Sequence, residues 1–134
     1  MIVELNKPVA IRYSRKKLEY TNEKPEKIKL GTWKELSKGI DGTIITYGDF
    51  ISNAIKIKEN LKQEKIDIGI VNARFIKPFD KEMFDEILSR NKPIYIYEET
   101  ASIGSLGERL CTYAVNKNNK NDITTFSIED KFIE

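Results

Sequence analysis

Residues 43–71 read TIITYGDFISNAIKIKENLKQEKIDIGIV and contain one complete strand–helix–strand unit. The β-branched run at 43–47 is closed by Gly48, which predicts a buried strand. Asp49 is a candidate helix cap. Apolar residues of the following segment fall mostly at helical spacings, namely Ile51, Ala54, Ile55, Ile57 and Leu61. Residues 66–71 predict the next strand, so this order favours two parallel strands joined by a right-handed helical crossover.

The same alternation continues on both sides of this unit. Before it, residues 9–11 predict a strand entered after Pro8, residues 15–29 a long exposed loop, and residues 33–40 a short edge strand leading into a turn at Asp41-Gly42. After it, residues 81–90 predict a helix, 94–97 a strand, 104–116 a helix and 123–128 a last strand. The predicted inward residues of the two later helices are Met83, Phe84, Ile87, Leu88, Leu106, Leu110 and Ala114. Strands alternating with helices predict an α/β fold with three layers, α/β/α, and a mostly parallel sheet.

Composition limits what such a domain can do. The 134 residues fit a single domain, 1–134, and 40% hydrophobic residues are enough for a core. A formal net charge of +2 is too balanced for a nucleic-acid-binding domain, and no apolar run approaches the roughly 20 residues of a membrane span. The chain has no histidine, which excludes an imidazole base. Its single cysteine, Cys111, excludes an internal disulfide and a zinc cluster of the Cys/His type, and with no signal peptide it favours the cytoplasm.

Candidate sites should follow the predicted strands, because ligands of open α/β sheets bind at the carboxyl ends of strands. Four segments qualify: residues 12–15, 48–49, 72–80 and 98–107. In the last of these, the residues 104–107, GSLG, open a helix whose free amides could bind a phosphate, or whose glycines could simply allow close packing. Glu98 and Glu99 are adjacent, so they point to opposite sides of a strand. One of them could cap a helix or bind an arginine.

The other candidates also leave two interpretations open. Arg74 and Lys77 could form an ion pair with Asp80 that shapes a loop stiffened by Pro78. Arg12 and Arg15, two of only five arginines, could bind a phosphate or lie in a solvated basic loop. Aromatic residues near strand ends could belong to an interface or to the core, namely Tyr13, Phe75 and Phe79.

Taken together, these segments resemble the carboxyl-terminal part of the 1-deoxy-D-xylulose-5-phosphate synthase family, within the transketolase superfamily. Residues 7–15, KPVAIRYSR, look like that family's PxAIRYPRG segment, and residues 72–80, NARFIKPFD, are close to its NARFxKPLD signature. Residues 94–99, IYIYEE, followed by Gly104 and Gly107, are similar to its VxTxEE...GGxG segment. Residues 128–134, IEDKFIE, resemble its lPDxFIEHG run. The resemblance covers nearly the whole chain in the family's order.

The resemblance implies a five-stranded, mostly parallel sheet with one antiparallel edge strand. It also implies a parent enzyme that condenses pyruvate with glyceraldehyde 3-phosphate, releases carbon dioxide and supplies isoprenoid precursors, using thiamine diphosphate and Mg²⁺. In that family the catalytic histidines and the cofactor-activating glutamate lie in two earlier domains. We therefore expect no catalytic residue, cofactor site or metal ligand in this chain, and no activity from it alone. The expected partners are those N-terminal and central domains and a second subunit of a homodimer.

One functional residue carries over from the resemblance. The arginine that ends RYPRG binds the phosphate of glyceraldehyde 3-phosphate in the family, and it corresponds to Arg15. This sequence has Ser14 in place of the family's proline and Lys16 in place of its glycine, which changes the backbone freedom on both sides of Arg15. Residues 1–6 resemble the tail of a helix and the chain stops before the family's last helix, so we expect a portion of a longer protein.

Two other hypotheses remain at this point. The first keeps the superfamily and changes the reaction, to a transketolase or to the beta subunit of a 2-oxo acid dehydrogenase. The second is a non-catalytic binding or assembly domain, which the changes at Ser14 and Lys16 would permit.

Overall fold

A computed structural model describes Pro8 and residues 26–130. The elements run in the order β1 (Lys34–Ser37), β2 (Gly42–Thr46), α1 (Phe50–Gln63), β3 (Ile68–Asn72), α2 (Lys81–Ser89), β4 (Ile94–Ala101), α3 (Leu106–Asn116) and β5 (Ile123–Ile128). The predicted strand at 9–11 and most of the predicted loop at 15–29 lie outside the described residues. So do Arg12, Tyr13 and Arg15.

The strands form one five-stranded sheet in the order β1-β3-β2-β4-β5. The pairs β2–β3, β2–β4 and β4–β5 are parallel, and β1 pairs antiparallel with β3. Every residue of β2 is buried, as expected for a central strand covered by helices on both faces. The predicted α/β class and the single antiparallel edge strand are therefore confirmed.

Helices cover both faces of the sheet and divide the core in two. On one face, α2 and α3 bury Phe84, Ile87, Leu106 and Leu110 against side chains of the central strands such as Ile45. On the other face, α1 packs Ala54 against a smaller cluster, which contains Ile44, Ile68 and Ile70. This arrangement confirms the three predicted layers and the predicted inward faces of α2 and α3.

The predicted inward face of α1 is partly wrong. Ile55 and Ile57 are 43% and 39% exposed, and Ala54 is the buried residue of this helix. The sheet-facing row contains Lys58 instead, whose Nζ donates to the Ile68 carbonyl oxygen at 2.6 Å. A lysine can occupy an inward row because its aliphatic stem packs while its ammonium reaches a polar partner at the edge.

Two strands have a boundary that differs from prediction by more than two residues. β1 spans only Lys34–Ser37 within the predicted 33–40, because Trp33 turns into the core, where it is 3% exposed, and the register shifts after Glu35. In contrast, β4 continues to Ala101, beyond the predicted end at 97. The longer β4 brings both glutamates of the IYIYEE segment into the strand.

Candidate functional site

The carboxyl ends of the four parallel strands meet at one edge of the sheet, where α3 also begins. Glu98 follows Tyr97, the residue of β4 that pairs with the last residue of β2, so it lies at this edge, and it is only 2% exposed. Its Oε1 accepts a hydrogen bond from the Gly107 amide at 2.7 Å. Its Oε2 accepts from the Leu106 amide at 3.1 Å and from the Tyr47 hydroxyl at 3.0 Å. We call Tyr47, Glu98, Leu106 and Gly107 the Glu98 cluster.

The strand register explains why this carboxylate is buried. Successive side chains of β4 alternate between faces, and Ile94 and Ile96 pack on the side of α2 and α3. Glu98 continues that row toward α3, whereas Glu99 is exposed. The prediction that the two glutamates point to opposite sides is confirmed. Of the two interpretations left open, capping of a helix is the one observed for Glu98.

The possible phosphate site at residues 104–107 is not available. The two amides that a phosphate would use, those of Leu106 and Gly107, already donate to Glu98. The Ser105 hydroxyl accepts from the Glu108 amide at 3.0 Å, and the Gly104 amide donates to the Glu108 carboxylate at 2.6 Å. An external anion would therefore meet occupied donors and a buried negative charge.

Close packing at Gly107 is confirmed as the alternative. A Cβ atom at this position would lie 2.8 Å from Glu98 Oε1 and 3.0 Å from Thr125 Cγ2. The glycine thus lets the helix amide approach the carboxylate directly. In effect, the chain supplies its own carboxylate at a helix N-terminus, a position where other proteins can bind phosphate.

The 72–80 loop forms a second anchoring site, and the predicted ion pair in it is wrong. Asp80 caps α2, with Oδ1 accepting from the Met83 amide at 3.0 Å and Oδ2 accepting from the Trp33 amide at 2.8 Å. Arg74 donates instead to the Trp33 carbonyl oxygen at 3.0 Å. Among the described residues, Asp80 forms no ion pair with Arg74 or Lys77, because backbone amides take both of its oxygens.

Trp33 is the residue that sequence reasoning missed. Its ring nitrogen donates to the Phe75 carbonyl oxygen at 2.9 Å. The 72–80 loop therefore binds both the side chain and the backbone of Trp33. Its ring lies 6.3 Å from that of Phe79, which packs in turn on Phe84 and Tyr113. Phe79 therefore belongs to the core cluster, and an interface role for it has no support in these contacts. The available signal was that Trp33 is the only tryptophan of the chain.

The remaining charged groups near α3 are engaged in structural contacts. Lys117 Nζ donates to Asp85 Oδ2 at 2.6 Å, and this hydrogen bond lowers the pKa of the Asp85 carboxyl. Burial raises the pKa of the Cys111 thiol, which keeps it protonated and a poor nucleophile at neutral pH. Arg109 Nη1 donates to the Ile76 carbonyl oxygen at 3.2 Å, beside a groove of 380 Å³ between α2 and α3.

The described residues hold no group of three or more Cys, Asp or Glu side chains arranged to bind a metal ion. None of the helices in this part of the chain is both long enough and apolar enough to cross a membrane. The role that the geometry supports is structural. Two carboxylates, Asp80 and Glu98, hold the first turns of α2 and α3 beside the carboxyl ends of the parallel strands.

Comparison with known proteins identifies relatives. Residues 31–133 match the model of the family described as "Transketolase, C-terminal domain". The 1-deoxy-D-xylulose-5-phosphate synthase of Clostridium tetani is 32% identical over 126 residues, covering 94% of this chain and 20% of that protein. The synthase of Lysinibacillus sphaericus is 38% identical over 130 residues, covering 95% of this chain and 20% of that protein. The chain thus spans about a fifth of the length of the curated relatives it matches.

Solved structures share the fold. A split-gene transketolase, described as an inactive β4 tetramer, has a TM-score of 0.75 at 24% identity, covering 81% of this chain and 36% of that chain. A transketolase from Pichia stipitis has a TM-score of 0.52 at 20% identity, covering 76% of this chain and 14% of that chain. These likenesses show that the fold of this chain is a known one.

Proposed function

The chain belongs to the transketolase C-terminal domain family, and from that premise we propose that it is the carboxyl-terminal domain of a thiamine-diphosphate-dependent 1-deoxy-D-xylulose-5-phosphate synthase. The observation that carries the proposal is the 32–38% identity to such synthases over nearly the whole chain. The transketolase structures support the fold alone. Condensation of pyruvate with glyceraldehyde 3-phosphate is accordingly assigned to a longer protein, and this chain is inactive without it.

Cofactor binding is assigned to other domains of that protein. The described residues do not fit thiamine diphosphate and Mg²⁺, because they contain no metal-binding cluster and the amides at the start of α3 are occupied by Glu98. The sequence also lacks the histidines that the family uses for proton transfer. We therefore assign this domain two tasks in the parent enzyme, support of a homodimer and support of the substrate-phosphate site. Its location in the cytoplasm stays a prediction.

The phosphate site is assigned to Arg15. The support for this assignment is the resemblance of residues 7–15, KPVAIRYSR, to the family's PxAIRYPRG segment. A guanidinium placed there offers the planar pair of donors that suits a phosphate group.

A chimera tests the proposed function. The chain replaces the matching fifth of the Clostridium tetani synthase, and formation of 1-deoxy-D-xylulose 5-phosphate from pyruvate and glyceraldehyde 3-phosphate is measured with thiamine diphosphate and Mg²⁺. We expect turnover by the chimera and none by the isolated 134-residue chain or by the truncated relative. A folded but inactive chimera would favour the non-catalytic assembly domain, and turnover by the isolated chain would contradict the assignment of catalysis to other domains.

Variants of the same chimera test Arg15. Arg15→Ala removes charge-assisted hydrogen bonds of about 1.5–3 kcal/mol, so kcat/KM should fall roughly 10- to 150-fold, mainly through KM for glyceraldehyde 3-phosphate. The KM for pyruvate should stay the same. Arg12→Ala serves as the matched control, with a smaller change expected. Equal effects of both variants, or an effect on pyruvate alone, would remove the phosphate role from Arg15.

A further inference from the structure

The two edges of the sheet differ in how they are protected. β1, at one edge, has four residues with the sequence KELS, and its register against β3 shifts between Glu35 and Ser37. Short length, charged side chains and irregular pairing are the features by which natural proteins prevent an edge strand from pairing with another chain. The β1 edge therefore carries the usual protection.

The β5 edge lacks the first two of these features, and its pairing with β4 is regular from Ile123 to Phe126, with a register shift only beyond Tyr97. Its six residues, ITTFSI, include no charged residue and no proline. Among the described residues β5 pairs with β4 alone, and its four central residues, 124–127, are exposed. Phe126 is 51% exposed, on the side of the sheet where Tyr97 stacks on Phe50 at 4.4 Å. An uncharged, exposed edge rich in β-branched and aromatic residues is suited to strand addition.

We propose that β5 pairs antiparallel with β5 of a second copy of this chain, about a twofold axis through Thr125, so that two sheets become one. The proposal deepens the dimer assignment made above, because it names the contact surface. An antiparallel edge is complementary to its own copy, and a twofold contact of this kind closes at the dimer.

Geometry and charge select the register. A twofold axis perpendicular to the sheet keeps each face on its own side, so paired residues must have the same orientation in both copies. Only axes at Thr125 or Phe126 leave just one residue of the six-residue strand unpaired. The axis at Phe126 sets Asp122 opposite Asp130 of the second copy, which is unfavourable, whereas the axis at Thr125 sets Lys120 opposite that Asp130.

The register at Thr125 also forms favourable side-chain pairs. Thr125 faces Thr125 of the second copy, where the hydroxyls can share a hydrogen bond. Thr124 faces Phe126 of the second copy twice across the axis, which gives two aromatic pairs with a β-branched residue. Burial of the exposed Phe126 rings supplies the apolar contribution to association.

Sedimentation velocity of the full 134-residue chain over a range of concentrations is the first test. We expect a reversible dimer whose dissociation constant rises at least tenfold in Phe126→Lys and in Thr124→Lys, since each places two lysines at the contact. Leu36→Lys is the matched control, because Leu36 is also exposed, at 39%, but lies on the protected edge. Circular dichroism confirms that each variant is folded. A wild-type monomer at every concentration, or a dimer unaffected by both β5 variants, would overturn the proposal.

Disulfide cross-linking is the second test and reads the register directly. In a Cys111→Ser background, Thr125→Cys places two thiols on directly opposed residues, at a Cβ separation of about 4.5–5.5 Å. Ser127→Cys is on the same face, but its two copies are offset by four residues, about 13 Å along the strands. We expect oxidation to cross-link Thr125→Cys and not Ser127→Cys; the reverse result would overturn the register and the proposal. Neither test depends on catalysis, so an inactive chimera and a missing dimer remain separate outcomes.

Discussion

Two helices of this domain begin against a carboxylate, but the two carboxylates come from different distances along the chain. Asp80 directly precedes α2 and accepts from the Met83 amide, three residues away. Glu98 lies in β4 and accepts from the Leu106 and Gly107 amides, eight and nine residues away. The first contact is local and the second depends on a strand, a turn and a helix being correctly placed.

The difference also concerns burial. Asp80 lies at a partly buried position and ties its helix to one more element through the Trp33 amide. Glu98 is buried and ties three elements together, since it binds α3, is part of β4 and accepts from Tyr47 at the end of β2. Removing a buried acceptor leaves its donors without a hydrogen bond and away from water. This loss lowers the free energy of unfolding more than the loss of an exposed acceptor does. Glu98 should therefore matter more for stability than Asp80.

Glu98→Ala should have the largest effect and tests this ranking. Two helix amides and the Tyr47 hydroxyl lose their acceptor in a buried site, so the free energy of unfolding should fall by roughly 3–5 kcal/mol. Urea denaturation followed by circular dichroism measures it. Glu99→Ala, the exposed neighbour in the same strand, should change stability by less than about 0.5 kcal/mol. Equal losses in the two variants would contradict the importance of the buried cluster.

Asp80→Ala should come second. The cap of α2 is lost and the Trp33 amide loses its partner, which together should cost about 2 kcal/mol. The same urea titration applies. Asp80→Asn keeps one carbonyl acceptor and should lose less than the alanine variant. A cost above that of Glu98→Ala would reverse the ranking.

The loss of stability in Tyr47→Phe should be smaller than in Asp80→Ala. The substitution removes one hydrogen bond to Glu98 while both helix amides keep theirs, so a loss of about 1 kcal/mol is expected. Tyr95→Phe is the control on a neighbouring strand, since no hydrogen bond of the Tyr95 hydroxyl is present among the described residues and its removal should be neutral. A neutral Tyr47→Phe would mean that the cluster acts through its amides alone.

The smallest effect is expected at a surface carboxylate, Asp85. The hydrogen bond from Lys117 lowers the pKa of Asp85 below its ordinary value of 3.8. A lowered folded-state pKa stabilises the protein above the ordinary pKa, and this contribution is lost as the pH falls through the folded-state pKa. Thermal melts of wild type and Asp85→Asn should therefore differ slightly at pH 7 and converge in acid. A difference that grows in acid would have the wrong sign.

Much of the fold was predictable because its signals are local. The runs at 43–47 and 66–71 and the apolar rows of α2 and α3 correspond directly to buried elements. The face of α1 was not, because hydrophobicity placed Ile55 and Ile57 inward, whereas the sheet accommodates Lys58 by its stem. Amphipathic side chains of this kind defeat a pattern based on polarity.

The site was predictable only in part, because its contacts join residues that are distant in sequence. The opposite orientations of Glu98 and Glu99 follow from strand geometry, but the partner of Glu98 depends on β4 extending to Ala101. The pairing of Asp80 with Arg74 failed as a prediction because oppositely charged residues near each other in sequence also compete for backbone groups. Trp33 reaches the 72–80 loop from 42 residues away, and no sequence period records such a contact.

Glu98 can be compared with a carboxylate ligand that is covalently linked to its binding site, the Leu106 and Gly107 amides. A tether of eight or nine residues holds the carboxylate at the helix amides. Its effective concentration there is of the order of millimolar or higher, so free anions at lower concentrations compete poorly with it. Shortening this side chain in Glu98→Ala would leave a carboxylate-shaped vacancy with its donors still in place. Formate or acetate should then restore part of the lost stability in that variant and leave the wild-type protein unchanged.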